Sequence, residues 1–238
     1  MKNVLIVGGS RGIGRACVEK FAREGFVVSF IYNNSDAQAD ELSAKTGSYA
    51  IKEDISDPSK ARAAVAKAID EMGSIDILVN NAGISLIKLF TDTTDEDYYN
   101  IMNTNIGGTF FVTREVAKNM ISNHFGRIVN IGSMWGKVGA SCEVAYSASK
   151  AAVEGFTKAL AKELGLSGIT VNCIEPGVIN TEMNAALDEN TLKELCDETP
   201  IGRIGDAYEL AEFIFTIATE KSGFLTGEII GFDGGFAI

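Results

Sequence analysis

The sequence predicts an α/β protein, a single domain built on a doubly wound parallel sheet of about seven strands with helices on both faces. Three observations predict it. Short apolar runs rich in Val and Ile alternate along the chain with longer segments of helical period. The first run meets a glycine-rich turn that opens a helical segment. The 238 residues, 46% hydrophobic with three prolines, hold no repeat, low-complexity tract or linker that would divide the core.

Taken in order, strands are expected near 3–7, 26–31, 48–53, 76–80, 127–131, 169–174 and 228–231. Helices are expected near 12–24, 37–46, 58–72, 95–120, 146–165 and 206–219, with stops such as Gly25, Gly47, Gly73 and Gly165. Asp76 and Asn80 read as structural residues that pin the middle of the sheet through backbone groups. The stretch near 180–200, polar and poor in strand signals, breaks the rhythm and is expected to be a mobile flap over a site.

A net charge of −11 argues against nucleic acid as a partner and offers nothing to an anionic membrane surface. No apolar stretch approaches membrane-spanning length, and the apolar run 4–7 is too short for a signal-peptide core. Cys17, Cys142, Cys173 and Cys196 form no CxxC pair, and His124 is the single histidine, so no metal site is expected. Reduced cysteines place the chain in the cytoplasm.

The first strand runs into Gly8, Gly9, Ser10, Arg11, Gly12, Ile13 and Gly14. A strand, a glycine turn and a helix start suit the pyrophosphate of a dinucleotide, which needs close backbone approach, free N–H groups and a favourable dipole. A β-carbon at Gly12 or Gly14 is expected to obstruct that approach. The spacing is not the common GxGxxG form, and an ordinary tight turn remains the alternative.

The second strand closes on Tyr32, Asn33, Asn34 and Ser35, with no carboxylate at the position that would hold a ribose 2′-hydroxyl. Arg11 can pair with a 2′-phosphate. NADP(H) is therefore favoured over NAD(H). Asp36 keeps NAD open, and the alternative reading of Arg11 is a solvated loop cation.

Tyr146 and Lys150, four apart, share one face of a helix. Ketone reduction needs a proton for the oxygen that turns negative, and a phenol of ordinary pKa about 10 supplies it more readily with an ammonium one turn away. Ser133, following the strand 128–131, stands at the sheet edge where it can hold the carbonyl oxygen. Alone, each residue also fits a turn or an exposed helix face.

With the glycine loop, Asp54-Ile55, Asn80-Asn81-Ala82-Gly83, Asn105, the Ser133, Tyr146 and Lys150 spacing, and Pro176-Gly177 with Thr181, the chain resembles the short-chain dehydrogenase/reductase family over nearly its full length. Within it the nearest likeness is to 3-oxoacyl-(acyl-carrier-protein) reductases. The resemblance implies a Rossmann-type fold, and that Asp54 and Ile55 border the adenine. It implies that Asn81, Ala82 and Gly83 line the adenosine side, with Pro176, Gly177, Ile179 and Thr181 toward the nicotinamide. It further implies that Asn105 kinks its helix and anchors a proton-relaying water, and that Lys150 also holds the nicotinamide ribose. A homotetramer follows from the family habit, and Ala151, Ala152, Gly155 and Phe156 suggest a covered helix face.

Two departures matter. Val7 stands where the family usually has a loop-bracing Thr. The places where carrier-protein reductases carry docking cations read His124 and Ser167, leaving Lys137, Arg127 or Lys162 as substitutes. Reduction of a 3-oxoacyl thioester, possible acyl carrier protein included as partner, is thus the first reading. A small free ketone, sugar or hydroxysteroid is the second, and a cofactor-sensing regulator the third. Met134, Trp135, Met183 and Leu187 are either pocket walls or core.

Overall fold

The computed structural model describes residues 2–184 and 188–238. The chain runs through β1 (Asn3–Val7), α1 (Gly12–Arg23), β2 (Val27–Tyr32), α2 (Asp36–Thr46), β3 (Tyr49–Lys52), α3 (Pro58–Met72) and β4 (Ile77–Asn80). It continues through α4 (Asp95–Met102), α5 (Gly108–Asn123), β5 (Gly126–Ile131), α6 (Met134–Val138), α7 (Val144–Leu164) and β6 (Ile169–Pro176). The last elements are β7 (Ile179–Asn180), α8 (Glu189–Glu198), β8 (Gly205–Asp206), α9 (Ala207–Ala218) and β9 (Ile229–Phe232).

Seven strands form one parallel sheet in the order β3-β2-β1-β4-β5-β6-β9. The order reverses between β1 and β4, which opens a crevice beyond their carboxyl ends. Alternation within β1 explains the two-sided core. Val4 and Ile6 pack with Val18, Phe21, Leu210 and Ile214 from α1 and α9 on one face. Leu5 and Val7 pack with Val65, Val112 and Leu164 from α3, α5 and α7 on the other.

The expected seven strands and both helical layers are present. The predicted helix 95–120 differs: α4 and α5 are joined by a π-helical turn at Asn103–Gly107, an irregularity that apolar period alone does not reveal. The predicted helix 146–165 starts earlier, at Val144. The short α6 was not expected.

The stretch 180–200 holds a 3-10 turn at Glu182–Asn184 and the helix α8, started by Asp188, whose Oδ1 accepts from Thr191 N at 2.8 Å. No α8 residue is buried, and its half-buried side includes Leu192, Leu195 and Cys196. Below it, β7 pairs with β8 through Ile179 with Gly205 and Asn180 with Asp206.

Asp76 pins the sheet through backbone as expected, its Oδ2 accepting from Asn3 N at 2.8 Å. Asn80 works through side chains instead. Its Nδ2 donates to Thr113 Oγ1 and Asn130 Oδ1, both at 2.8 Å, and Asn130 Nδ2 donates to Thr157 Oγ1 at 2.9 Å. This buried polar chain links α5, β4, β5 and α7 across one face of the sheet.

Candidate active site

The glycine loop is braced by backbone. Gly8 N and Gly9 N both donate to Ile31 O, at 2.8 and 3.1 Å, and Asn81 N donates to Val7 O at 3.1 Å. Asn81 Nδ2 adds a bond to Gly8 O at 3.0 Å, so the loop is held where Val7 offers no hydroxyl. Gly8 has a φ of 76°, and a β-carbon there would lie 2.8 Å from Ala82 Cα.

Gly14 corrects an expectation. A β-carbon on it would come within 2.0 Å of Gly8 O, so this glycine serves the packing of α1 against the loop, behind the cleft wall. Gly12 does stand at the cleft, with a φ of 51° and Thr181 facing it. No side chain caps α1 and no acid lies in its first turn. The N–H groups of that turn and their share of the helix dipole are therefore left for an anion.

A cleft of about 780 Å³ lies over the carboxyl ends of β1, β2, β4, β5 and β6. Every cofactor residue named from the sequence borders it except Gly14. The open glycine loop at one end fits a dinucleotide, whose pyrophosphate needs the space that a β-carbon would fill. Asp54 Oδ1 is occupied by Ser56, accepting from its N and Oγ at 3.0 and 2.8 Å. Asn33 and Asn34 are exposed at the rim, and so is Arg11, which forms no salt bridge among the described residues. Asp36 lies outside the lining and is paired with Lys52 at 2.6 Å.

At the other end, Ser133, Tyr146 and Lys150 are all buried and all line the cleft. Ser133 starts α6, its Oγ accepting from Trp135 N at 3.2 Å. Lys150 Nζ donates to Ile131 O at 2.8 Å and sits 5.7 Å from the Tyr146 ring centroid. Gly83 closes over it, since a β-carbon there would be 3.4 Å from Nζ.

Asn105 lies behind the wall. Its Oδ1 accepts from Ile84 N at 2.8 Å, and its Nδ2 donates to Ile84 O and to Ser149 Oγ, both at 2.9 Å. The π turn swings this side chain out of helical register toward the strand-end loop. Ser149 Oγ in turn donates to Tyr146 O at 2.7 Å.

The electrostatics differ from the expected lowering of the phenol. Burial pushes Tyr146 up to about 12, opposed by Ser133 and reinforced by the charge of Glu143. Burial lowers Lys150 to about 8. The phenol thus keeps its proton at neutral pH, which is the state a proton donor needs.

Glu143, the residue before the first turn of α7, was missed: it lines the cleft beside Tyr146 from the turn that starts the helix. Ser149 was missed too, and its signal lay only in three-dimensional contact. Of the expected pocket walls, Trp135 and Met183 line the cleft, Met134 is buried in the interior, and Leu187 lies outside the described residues.

A buried phenol, ammonium and hydroxyl at one end of a dinucleotide cleft define an oxidoreductase that moves a proton at a ketone or alcohol oxygen. The sequence profile of the family described as enoyl-(acyl carrier protein) reductase matches residues 7–237. The acetoacetyl-CoA reductase of Shinella zoogloeoides is 41% identical over 232 residues, covering 97% of this chain and 96% of that one. The 3-oxoacyl-(acyl-carrier-protein) reductase of Escherichia coli K12 is 36% identical, covering 98% and 96%. A solved short-chain dehydrogenase/reductase from Serratia marcescens superposes with a TM-score of 0.93 at 35% identity, covering 100% of this chain and 98% of that one.

The chain belongs to the short-chain dehydrogenase/reductase family, and it is an NAD(P)-dependent oxidoreductase acting on a ketone or hydroxyl group.

Proposed function

We propose that the protein reduces the 3-oxo group of an acyl thioester to the 3-hydroxyacyl product with NADPH. The observation that carries this reading is the buried, protonated Tyr146 beside Lys150 and Ser133, in a chain that matches two kinds of 3-oxoacyl thioester reductase along its length. Ser133 Oγ holds the substrate carbonyl, and Tyr146 Oη gives its proton to the oxygen. Lys150 stabilises the phenolate that remains and holds the ribose. Asn105 keeps Ile84 and Ser149 in place beside them and anchors a relaying water. The nicotinamide, when bound, supplies the hydride.

Gly8, Ser10, Gly12 and Ile13 hold the pyrophosphate side, with Gly14 supporting the loop from behind and Arg11 directed to the 2′-phosphate. Asp54 and Ile55 take the adenine, and Asn81, Ala82 and Gly83 take the adenosine side. Pro176, Gly177, Ile179 and Thr181 take the nicotinamide side, and the stretch near 180–200 covers the substrate. NADPH is favoured over NADH because Arg11 is exposed and unpaired among the described residues, while Asn33, Asn34 and Ser35 replace an acid and Lys52 engages Asp36.

The carrier is the point on which the second reading turns. Arg127 is not a docking cation, since its guanidinium is buried and donates to Gly126 O and Gly168 O. Lys137 is drawn to Ala237 O. Lys162 remains exposed. Of these three, Lys162 is the one left for an acidic carrier protein. We also infer a cytoplasmic homotetramer. The unbridged cysteines and the exposed Phe110, packed on Phe156 of α7 at 5.9 Å, support it.

The test follows NADPH consumption with acetoacetyl-CoA, acetoacetyl-carrier protein and a small β-keto ester at low and raised salt. Thioester turnover well above that of the ester supports the reading. Salt-sensitive preference for the carrier identifies the acidic partner, and preference for the ester rejects a thioester substrate.

A further inference from the structure

Behind the reacting end lies a pair of acids that the mechanism does not use. Glu175, 3% exposed, is the penultimate residue of β6, directly before Pro176. Glu154, on α7 one turn beyond Lys150, has a side chain only 17% exposed. After burial, the Glu154 carboxyl is the neighbour that most raises Glu175. Oε1 of each is buried with no conventional donor in reach. Their walls are tight: a β-carbon on Gly136 would be 3.1 Å from Glu154 Oε1, and one on Gly132 would be 3.2 Å from Glu175 Cγ.

Two buried anions without donors would repel each other and forgo solvation, a cost that a proton between them removes. The neighbouring charges do not remove it. On α7, Lys158 Nζ is 3.8 Å from Glu154 Oε2 and largely exposed, and Lys150 is turned to Ile131 O. On α6, Lys137 is engaged by Ala237 O. On β6, burial keeps the Cys173 thiol protonated, pushed up to about 12. Burial and Glu154 together hold the Glu175 carboxyl well above the ordinary carboxylate range.

We propose that Glu154 and Glu175 share one proton at neutral pH, and that this link is a positioning clamp holding α7, with Tyr146 and Lys150, against the end of β6, with Pro176 and Gly177. The proton resides on Glu175, the more deeply buried of the two. Each half of the cleft floor leads directly into one of these acids. Losing the proton at raised pH sets two carboxylates against each other and parts the two elements that flank the nicotinamide side. Glu154 and Glu175 act through the groups they position and touch no reacting atom.

The unliganded protein tests the shared proton. A carboxyl whose folded pKa lies above its unfolded one stabilises the fold fully at low pH. That stability is lost as pH rises from the unfolded toward the folded value, with the unfolding constant changing up to tenfold per pH unit. Glu175→Gln keeps a donor and cannot ionise. Its Tm advantage over the native protein should therefore widen from about pH 5 until the folded carboxyl has ionised, and then level off. Lys150 titrates in both proteins and cancels.

Infrared difference spectra at neutral pH should show a protonated-carboxyl stretch that the variant lacks. Parallel Tm curves or an absent band overturn the shared proton. The clamp is tested by NADPH affinity through nicotinamide fluorescence, which should weaken severalfold more in the native protein than in Glu175→Gln between neutral pH and about pH 9. Equal weakening overturns the clamp. If Glu175→Gln does not fold, Glu154→Gln is used: Glu175 stays buried but loses its carboxyl neighbour, so the loss of Tm with rising pH should level off at lower pH than in the native protein, and an unmoved profile overturns the shared proton.

Discussion

Asn105 and Ser149 are joined side chain to side chain, Nδ2 donating to Oγ at 2.9 Å. The bond ties the π turn between α4 and α5 to the helix of Tyr146 and Lys150. Because Asn105 also satisfies both backbone groups of Ile84, three chain segments meet on one amide. Replacing it with Ala strands the Ile84 N–H and C=O, at about 1–3 kcal/mol for each group left buried and unpaired. Asn105→Ala should lower Tm by about 2–4 °C per kcal/mol lost, and turnover should fall further than the Tm change explains. Thermal unfolding and kcat measured together check this.

Tyr146→Phe should abolish turnover while leaving NADPH binding nearly intact. General acid catalysis is worth about 10²–10⁴-fold, so a residual rate above one per cent would remove Tyr146 from the role of proton donor. Steady-state rates and cofactor fluorescence on the same preparation separate the two effects.

Glu143 raises the pKa of Tyr146 through its charge. Taking that negative charge away makes the phenol easier to ionise, so Glu143→Gln should bring phenolate absorbance in at lower pH than in the native protein. The Tyr146→Phe protein, subtracted as a blank, isolates the signal. An unmoved titration would show that Glu143 lies electrostatically remote from the phenol.

Arg11→Ala should cost NADPH about tenfold or more in kcat/KM and leave NADH nearly unchanged, the size expected for one charged hydrogen bond to a 2′-phosphate. Equal losses with both cofactors would assign Arg11 to the shared pyrophosphate. No loss with either would leave it a solvated cation.

Gly14→Ala drives a β-carbon into Gly8 O, which lies 2.0 Å from its ideal position. The backbone of the loop must give way, so cofactor affinity should collapse and stability fall by about 1–3 kcal/mol.

Strand positions and the layered core were legible because a parallel sheet covered on both faces writes apolar runs into the sequence, as β5 and β6 show. The Tyr146 and Lys150 pair was legible because four residues make one helical turn. The π turn was not, since it changes hydrogen bonding without changing apolar spacing. Nor was the direction of the Tyr146 shift. Spacing puts an ammonium one turn away, but Lys150 spends a bond on Ile131 O and is itself desolvated. Burial, which spacing does not measure, then outweighs the nearby charge. The side-chain chain from Thr113 to Thr157 through Asn80 and Asn130 joins residues distant in sequence, and no local pattern encodes it.

The two-residue ladder of β7 and β8 brings the chain back at Gly205 to the place it left at Asn180. Between them α8 contributes no buried residue to the body of the protein, and Ile201 N anchors the chain just past it to Gly234 O at 3.2 Å. That helix therefore behaves as an exchangeable cassette. Its length and side chains can be redrawn for another substrate while the proton donor, its lysine and the nucleotide cradle stay in the frame that built them.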